Sequence, residues 1–135
     1  MNIIVDNLER ELMSPFRELA KDISTKFPDV KAHVYSQSIG ALTEFQGHQI
    51  GIDCVLANVP ADQPDNIALG IVIYHLTTNP KIDADVCWGH PSGRIEAEFS
   101  SEPVEISDKV LKDLYADLPR LYENLVKAVK RGKPS

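Results

Sequence analysis

The sequence predicts a two-layer α+β domain, with a four- or five-stranded antiparallel meander and an N-terminal and a C-terminal helix packed on one of its faces. Three observations predict it. Apolar residues recur at helical spacing near both ends of the chain, and the middle alternates with the period of strands. Short turns rich in Gly, Pro and Asn separate the later strands, which forces neighbours to run antiparallel. Each helix carries one apolar stripe, and one sheet face receives both. The 135 residues are expected to form a single domain, 1–135. A chain of that size buries about two-thirds of the surface its unfolded form exposes.

The first helix rests on Leu8, Leu12, Phe16, Leu19, Ile23 and Phe27, which fall on one stripe. Pro15 lacks an N–H and crowds the preceding turn, so a kink is expected there, or a restart with Ser14 as N-cap. Pro28 ends the helix. Residues 30–39 alternate loosely as a strand. Residues 48–57 set Ile50, Ile52, Cys54 and Leu56 against Gly51, Asp53 and Val55, and residues 42–45 extend this strand backwards across a bulge at Gly47. Residues 58–66, with two prolines and two aspartates, form a loop. Residues 67–76 are apolar on both faces, as suits a strand covered on both sides.

Residues 81–88 alternate cleanly: Ile82, Ala84, Val86 and Trp88 against Asp83, Asp85 and Cys87. After the turn at 89–93, Ile95, Ala97 and Phe99 alternate with Arg94, Glu96 and Glu98. The last helix has Ser107 as N-cap, Asp108 at its positive end, apolar residues at helical period from Val110 to Val129, and Gly132 just past its end. Pro119 lies within that pattern, so a kink is expected there.

Strand register follows from keeping apolar residues together. For the second hairpin this pairs Val86 with Ile95 and Ala84 with Ala97 inside, and Asp85 with Glu96 and Asp83 with Glu98 outside. For the first hairpin it pairs Ile73 with Ala84, Ile71 with Val86 and Leu69 with Trp88. Tyr74 and Val72 then neighbour the two aspartates. The expected result is one open sheet face carrying Asp83, Asp85, Glu96, Glu98, Tyr74 and Val72. Like charges directly opposed on a sheet repel, by under about 1 kcal/mol when exposed, so this face reads either as a solvated surface or as a dock for a basic partner.

The charge distribution sharpens that choice. The net charge of −6 resolves into −8 over residues 40–106, where ten acids meet only Lys81 and Arg94, and a basic final stretch from Lys127 onward. An acidic sheet is unsuited to nucleic acid, whose affinity comes mainly from positive surface. No apolar run reaches the roughly 20 residues of a membrane span. The first residues have no signal-peptide pattern, and two cysteines make no disulfide framework, so a cytoplasmic location is expected.

Chemistry is sparse. No phosphate loop, dinucleotide fingerprint, nucleophile elbow or zinc motif occurs, so no cofactor, metal or catalytic residue is expected. Cys87 and His90 form a thiol–imidazole pair near a turn, with Arg94 beside Cys87 to favour thiolate. No oxyanion donor accompanies them. His33, His48, His75 and His90 have no ligand spacing. Cys54 should point inward and Cys87 outward, which precludes a bond between them.

The expectation is a small cytoplasmic protein-interaction module (adaptor, chaperone-like or toxin-neutralising) that offers its acidic sheet face to a basic protein partner. In size, acidity and helix–sheet–helix order the chain resembles small dimeric secretion chaperones, a likeness of general form. The alternative is a small-ligand-binding protein or minor enzyme with a site between helices and sheet, near Trp88 and His75. Apolar residues on more than one side of the last helix (Leu111, Leu114, Leu118, Leu121, Tyr122 and Leu125) also offer a homodimer contact.

Overall fold

A computed structural model describes residues 3–40, 46–89 and 93–134. The order is α1 (Ile3–Lys26), β1 (Val30–Ile39), β2 (Gly47–Leu56), β3 (Asn66–Tyr74), β4 (Lys81–Trp88), β5 (Arg94–Glu98), β6 (Val104–Glu105) and α2 (Asp108–Arg131). β1 to β5 lie side by side in chain order, each pair antiparallel. β6, which the sequence pattern did not suggest, pairs with the first two residues of β4 beyond the end of β5. The chain thus adopts the expected α+β meander with a helix at each end. The expected backward extension of β2 through 42–45 lies outside the described residues.

α1 runs continuously through Pro15, so the helix does not restart at Ser14. An interior proline costs a helix about 3 kcal/mol. Leu8, Leu12, Phe16 and Ile23 are all buried on one side of α1, and each such side chain contributes about 1.5–3 kcal/mol, so tertiary burial outweighs the local defect. α2 also continues through Pro119, where no break was expected. Its ends are closed as the sequence suggests. Ser107 accepts a hydrogen bond from the Val110 N–H, and Gly132, at φ 76°, donates to the Ala128 carbonyl.

Both helices pack on the same side of the sheet. Ile50, Ile52, Leu69, Ile71, Val86 and Trp88 form one core with Leu12, Phe16, Leu114, Leu121 and Leu125. Phe16 meets Tyr122 edge to face, with ring centroids 6.0 Å apart, which joins α1 to α2. The edge strand β1 is partly sealed by α1 as well. The Val30 N–H donates to the Phe27 carbonyl, and the Ala32 N–H to Ser24 Oγ at 3.0 Å. Such cover blunts an edge that would otherwise recruit another strand.

The faces of β1 to β4 follow the alternation, but the register of β3 with β4 does not. β3 and β4 pair Leu69 with Val86 and Ile71 with Ala84, and β3's partner for Trp88 is Ile67. This is a slip of two residues from the expected pairing. A slip of two leaves every side chain on its own face, so alternation cannot detect it. The turn decides it. His75 takes a left-handed conformation (φ 53°), its carbonyl accepts from the Thr78 N–H, and the Leu76 N–H donates to Gln46. β3 therefore ends at Tyr74, earlier than expected.

Between β4 and β5 the correction is larger. Asp85 pairs with Glu98 and Val86 with Ala97, but after a bulge Cys87 pairs with Ile95 and Trp88 with Arg94. Glu96 is the extra residue. Ile95, expected inside, is 53% exposed. Glu96, expected on the acidic face, turns towards the helices and accepts from Trp88 Nε1 at 2.6 Å and from Arg131 of α2. A buried indole N–H needs an acceptor, and the bulge delivers a carboxylate to it.

Candidate functional site

The helix-free face of the sheet is assembled from cross-strand rows. One crosses all five strands: Tyr35 opposes Gly51, Gly51 opposes Gly70, Gly70 opposes Asp85, and Asp85 opposes Glu98. On one side lies the row His33, Asp53, Ala68 and Cys87; on the other, Gln37, Gln49, Val72 and Asp83. Adjacent strands stand about 4.8 Å apart, and residues without side chains in the middle of such a surface leave a hollow. A groove of about 570 Å³ follows, lined by Tyr35, Gln49, Asp53, Gly70, Tyr74 and Asp85 among others.

The two glycines have distinct reasons to be glycine. A Cβ at Gly51 would strike both the Leu69 carbonyl oxygen and the Tyr35 hydroxyl. A Cβ at Gly70 would meet only the ends of two flexible side chains, Tyr35 Oη at 3.3 Å and Gln49 Nε2 at 3.5 Å. The phenol of Tyr35 therefore lies across the glycine pair. Burial pushes that phenol far up, with Asp53 and then Asp85 adding, so it stays a neutral hydroxyl at any ordinary pH.

The carboxylates of this face are unequally served. Asp53 accepts from Asn66 Nδ2 at 3.1 Å and lies 3.8 Å from His33 Nε2. Asp83 accepts from the Ala84 N–H at 2.8 Å. Burial raises Asp83, with that N–H opposing and Glu98 adding a smaller upward push. Asp85 and Glu98 have no cationic partner among the described residues. Burial, then the neighbouring Asp83 and Glu98 charges, push the Asp85 carboxyl up to about 6.

Of the residues expected to form the partner-binding face, Asp83, Asp85, Glu98, Val72 and Tyr74 share it, with Val72 opposite Asp83 and Tyr74 opposite Lys81. Glu96 does not, for the reason given above. Trp88, assigned to the alternative pocket between helices and sheet, is fully buried, and the groove lies on the other side of the sheet. His75 leaves the strand pattern in its turn. Tyr35, Asp53, Gly51 and Gly70 were not anticipated. The signal available was two glycines inside strand patterns, which mark bulges or close approach by a backbone or a ligand.

Among the described residues, neither cysteine is activated as a nucleophile. Cys87 neighbours Ile95, not Arg94, and burial followed by Asp85 raises its thiol above the ordinary range, the reverse of the expected thiolate. Its expected partner His90 lies outside the described residues. Cys54, buried on the opposite face, is pushed up to about 12 by burial and then by Asp53, and both thiols are free. A second polar cluster joins α1, β1 and β2. Ser36 Oγ donates to Glu9 Oε1 at 2.9 Å and meets His48 Nε2 at 2.7 Å. In a catalytic relay the imidazole stands between hydroxyl and carboxylate; here the hydroxyl stands between the other two. Burial lowers His48 against the opposing pull of Glu9, so this cluster works as an inter-element tie. Among the described residues, no three His, Cys, Asp or Glu side chains converge as metal ligands.

No protein-family model, curated protein or solved structure matches the chain. The groove itself therefore carries the functional argument. What it can do chemically is receive a positively charged group: it supplies carboxylate and amide acceptors and two aromatic hydroxyls.

Proposed function

We propose that the chain is a small protein-interaction module, of the adaptor, chaperone-like or toxin-neutralising kind, that docks a basic segment of another protein on the open face of its sheet. The supporting observation is the groove of about 570 Å³ on that face, at whose edge Asp85 and Glu98 have no cation of their own among the described residues. Charge complementarity of this kind selects partners and speeds their encounter. Two free thiols fit a reducing compartment, the cytoplasm. Among the described residues, no helix is long and apolar enough to cross a membrane.

The test is paired affinity capture from native cell extract with the wild-type chain and an Asp83→Lys/Glu98→Lys variant. The expected result is a basic protein held by the wild type, released as salt rises, and lost from the variant. A set of captured proteins unchanged by the reversal would refute the docking face. Glu96 is left intact because it supports Trp88 and not the face.

A second reading has its own support. The groove's volume lies within the range of about 300–1,000 Å³ typical of small-molecule sites. A small organic cation bound in the same groove would then replace the protein segment. Capture of no protein, together with saturable binding of a small cation at the groove, distinguishes this case.

A further inference from the structure

The sheet treats its two edges differently. At β5 the strand is five residues long, a bulge interrupts its pairing, and its outward Glu98 carbonyl accepts from Arg120 of α2 at 2.7 Å. A short strand, a bulge and a covering side chain all keep other strands away. At β1 the cover stops part-way. The Ala57 N–H donates to the Asp29 carbonyl, and the same register continued along β1 turns its odd-numbered residues towards β2. The backbone groups of Val30, Ala32, Val34, Ser36 and Ser38 therefore point away from the sheet. Val30 and Ala32 donate to the Phe27 carbonyl and to Ser24 Oγ. The outward N–H and C=O groups of Val34, Ser36 and Ser38 have no partner among the described residues.

We infer that the edge of β1 over residues 34–38 takes up an extended segment of a partner protein as an added strand. The inference rests on the docking reading above in taking a polypeptide partner, and it names how that partner's backbone is held. Alternate residues of a strand stand about 6.8 Å apart, so the three outward N–H and C=O pairs form a row about 14 Å long. An extended polypeptide repeats its own donors and acceptors at that interval, and pairing along the row forms up to six backbone hydrogen bonds. Nothing in the strand repels such a partner. Residues 34–38 contain no proline and no charged side chain, and they pair with β2 without a bulge. Lys31 lies at the end that Phe27 and Ser24 cover. Ser36, Gln37 and Ser38 make the edge polar, which leaves the backbone, not an apolar surface, to recognise the partner. The edge also adjoins the groove, which Tyr35, Gln37 and Ile39 line from β1. Every second side chain of an added strand projects beside them. Basic residues there stand two strand spacings from β2, which carries Asp53, about 10 Å and thus within the screening length at 0.1 M salt.

The probe is a blocked eight-residue peptide that alternates threonine and lysine, so that a strand puts all its lysines on one face. Two isomers carry backbone N-methyl groups, one on every threonine and the other on every lysine. In an added strand alternate N–H groups point to β1 and the rest to solvent. One isomer is therefore expected to bind like the parent peptide and the other not at all. Binding is read from the backbone amides of Val34, Ser36 and Ser38 in the full chain, which should shift downfield and gain protection from exchange. Ser38→Pro removes one outward donor, a change that edge strands tolerate. It should weaken the parent peptide by about tenfold, the scale of a lost hydrogen bond and a blocked neighbour. The two methylated isomers keep the test decisive on the wild-type chain if Ser38→Pro proves unfolded.

Methylated isomers that bind equally, or that both fail where the parent binds, overturn strand addition. So does a parent peptide that leaves the three amides unmoved. If a peptide indifferent to methylation is still lost from Asp83→Lys/Glu98→Lys, the docking face survives and only strand addition fails. Isomer-selective binding that persists undiminished in that variant keeps the edge and removes the acidic face. Amides of Val34, Ser36 and Ser38 already protected in the free chain, with a dimer mass by light scattering, give the edge to a second copy and overturn the proposal.

Discussion

At Asp85, binding and stability pull in opposite directions. Its carboxyl is raised from the ordinary 3.8 to about 6 by burial and by Asp83 and Glu98, so the folded chain resists its ionisation. The sign follows directly. Below the ordinary value the group is protonated in both folded and unfolded chains and costs nothing. As pH climbs from there through about 6, the unfolded chain ionises first, stability falls, and the loss is complete above that range. Asp85→Asn should therefore raise the melting temperature near neutral pH and leave it unchanged near pH 3.5. Because the carboxylate keeps part of its solvent, a gain of about 2–4 °C is expected. A residue whose neutralisation stabilises the fold yet abolishes binding is held for function; a gain in stability with binding intact would return Asp85 to the ordinary surface. Glu96 shows the opposite case. Glu96→Ala strands the Trp88 N–H in the core, which should cost about 1–3 kcal/mol, read as a lower urea midpoint. Glu96→Gln retains an acceptor and should recover part of the loss.

Elements differ in how much of them the sequence discloses. Both helices were legible because their stripes and stops agree, and both continue through an interior proline, α1 without the restart that Ser14 had offered. The strands' faces were legible for the same reason: alternation is a property of the chain. Register is a property of two chains and a turn. A two-residue slip at β3–β4 costs alternation nothing, and the β4–β5 bulge was invisible because its cause, the indole of Trp88 seeking a carboxylate, appears only once β4, β5 and α2 meet. The site inherits this limit. Three of the expected acids share the face, but the glycine row beneath them depends on β1–β4 being in register together. α2 also bears on the homodimer expectation. Leu114, Leu118, Leu121 and Leu125 are buried, and Leu111 and Tyr122 pack half-buried against the same core, so its apolar girth is used within one chain. Leu121→Ala should cost about 2–5 kcal/mol in chemical denaturation, and light scattering at two concentrations should return one and the same monomer mass.

For the molecule as a whole, the net charge of −6 matters less than where it lies. The acids of the strand region and the bases of the C-terminus are separated along the chain, and Arg131 already engages Glu96 at the end of α2. The open face is therefore left with its negative field towards solvent. Such a field acts over about 10 Å at 0.1 M salt and guides a basic segment before any contact forms. The side chains that line the groove act only on contact. Long-range and short-range contributions separate in kinetics: exposed charges govern association, and buried complementary contacts govern dissociation. For a captured partner, Glu98→Lys should slow association several-fold at low salt and change dissociation little. Tyr74→Ala, which removes an aromatic contact from the groove, should leave association within about twofold and speed dissociation about tenfold, since most effects on residence lie in the off-rate. Stopped-flow mixing over a salt series measures both. If the two variants instead act on the same rate constant, field and contact are not separate parts of one site, and the face binds by net charge alone.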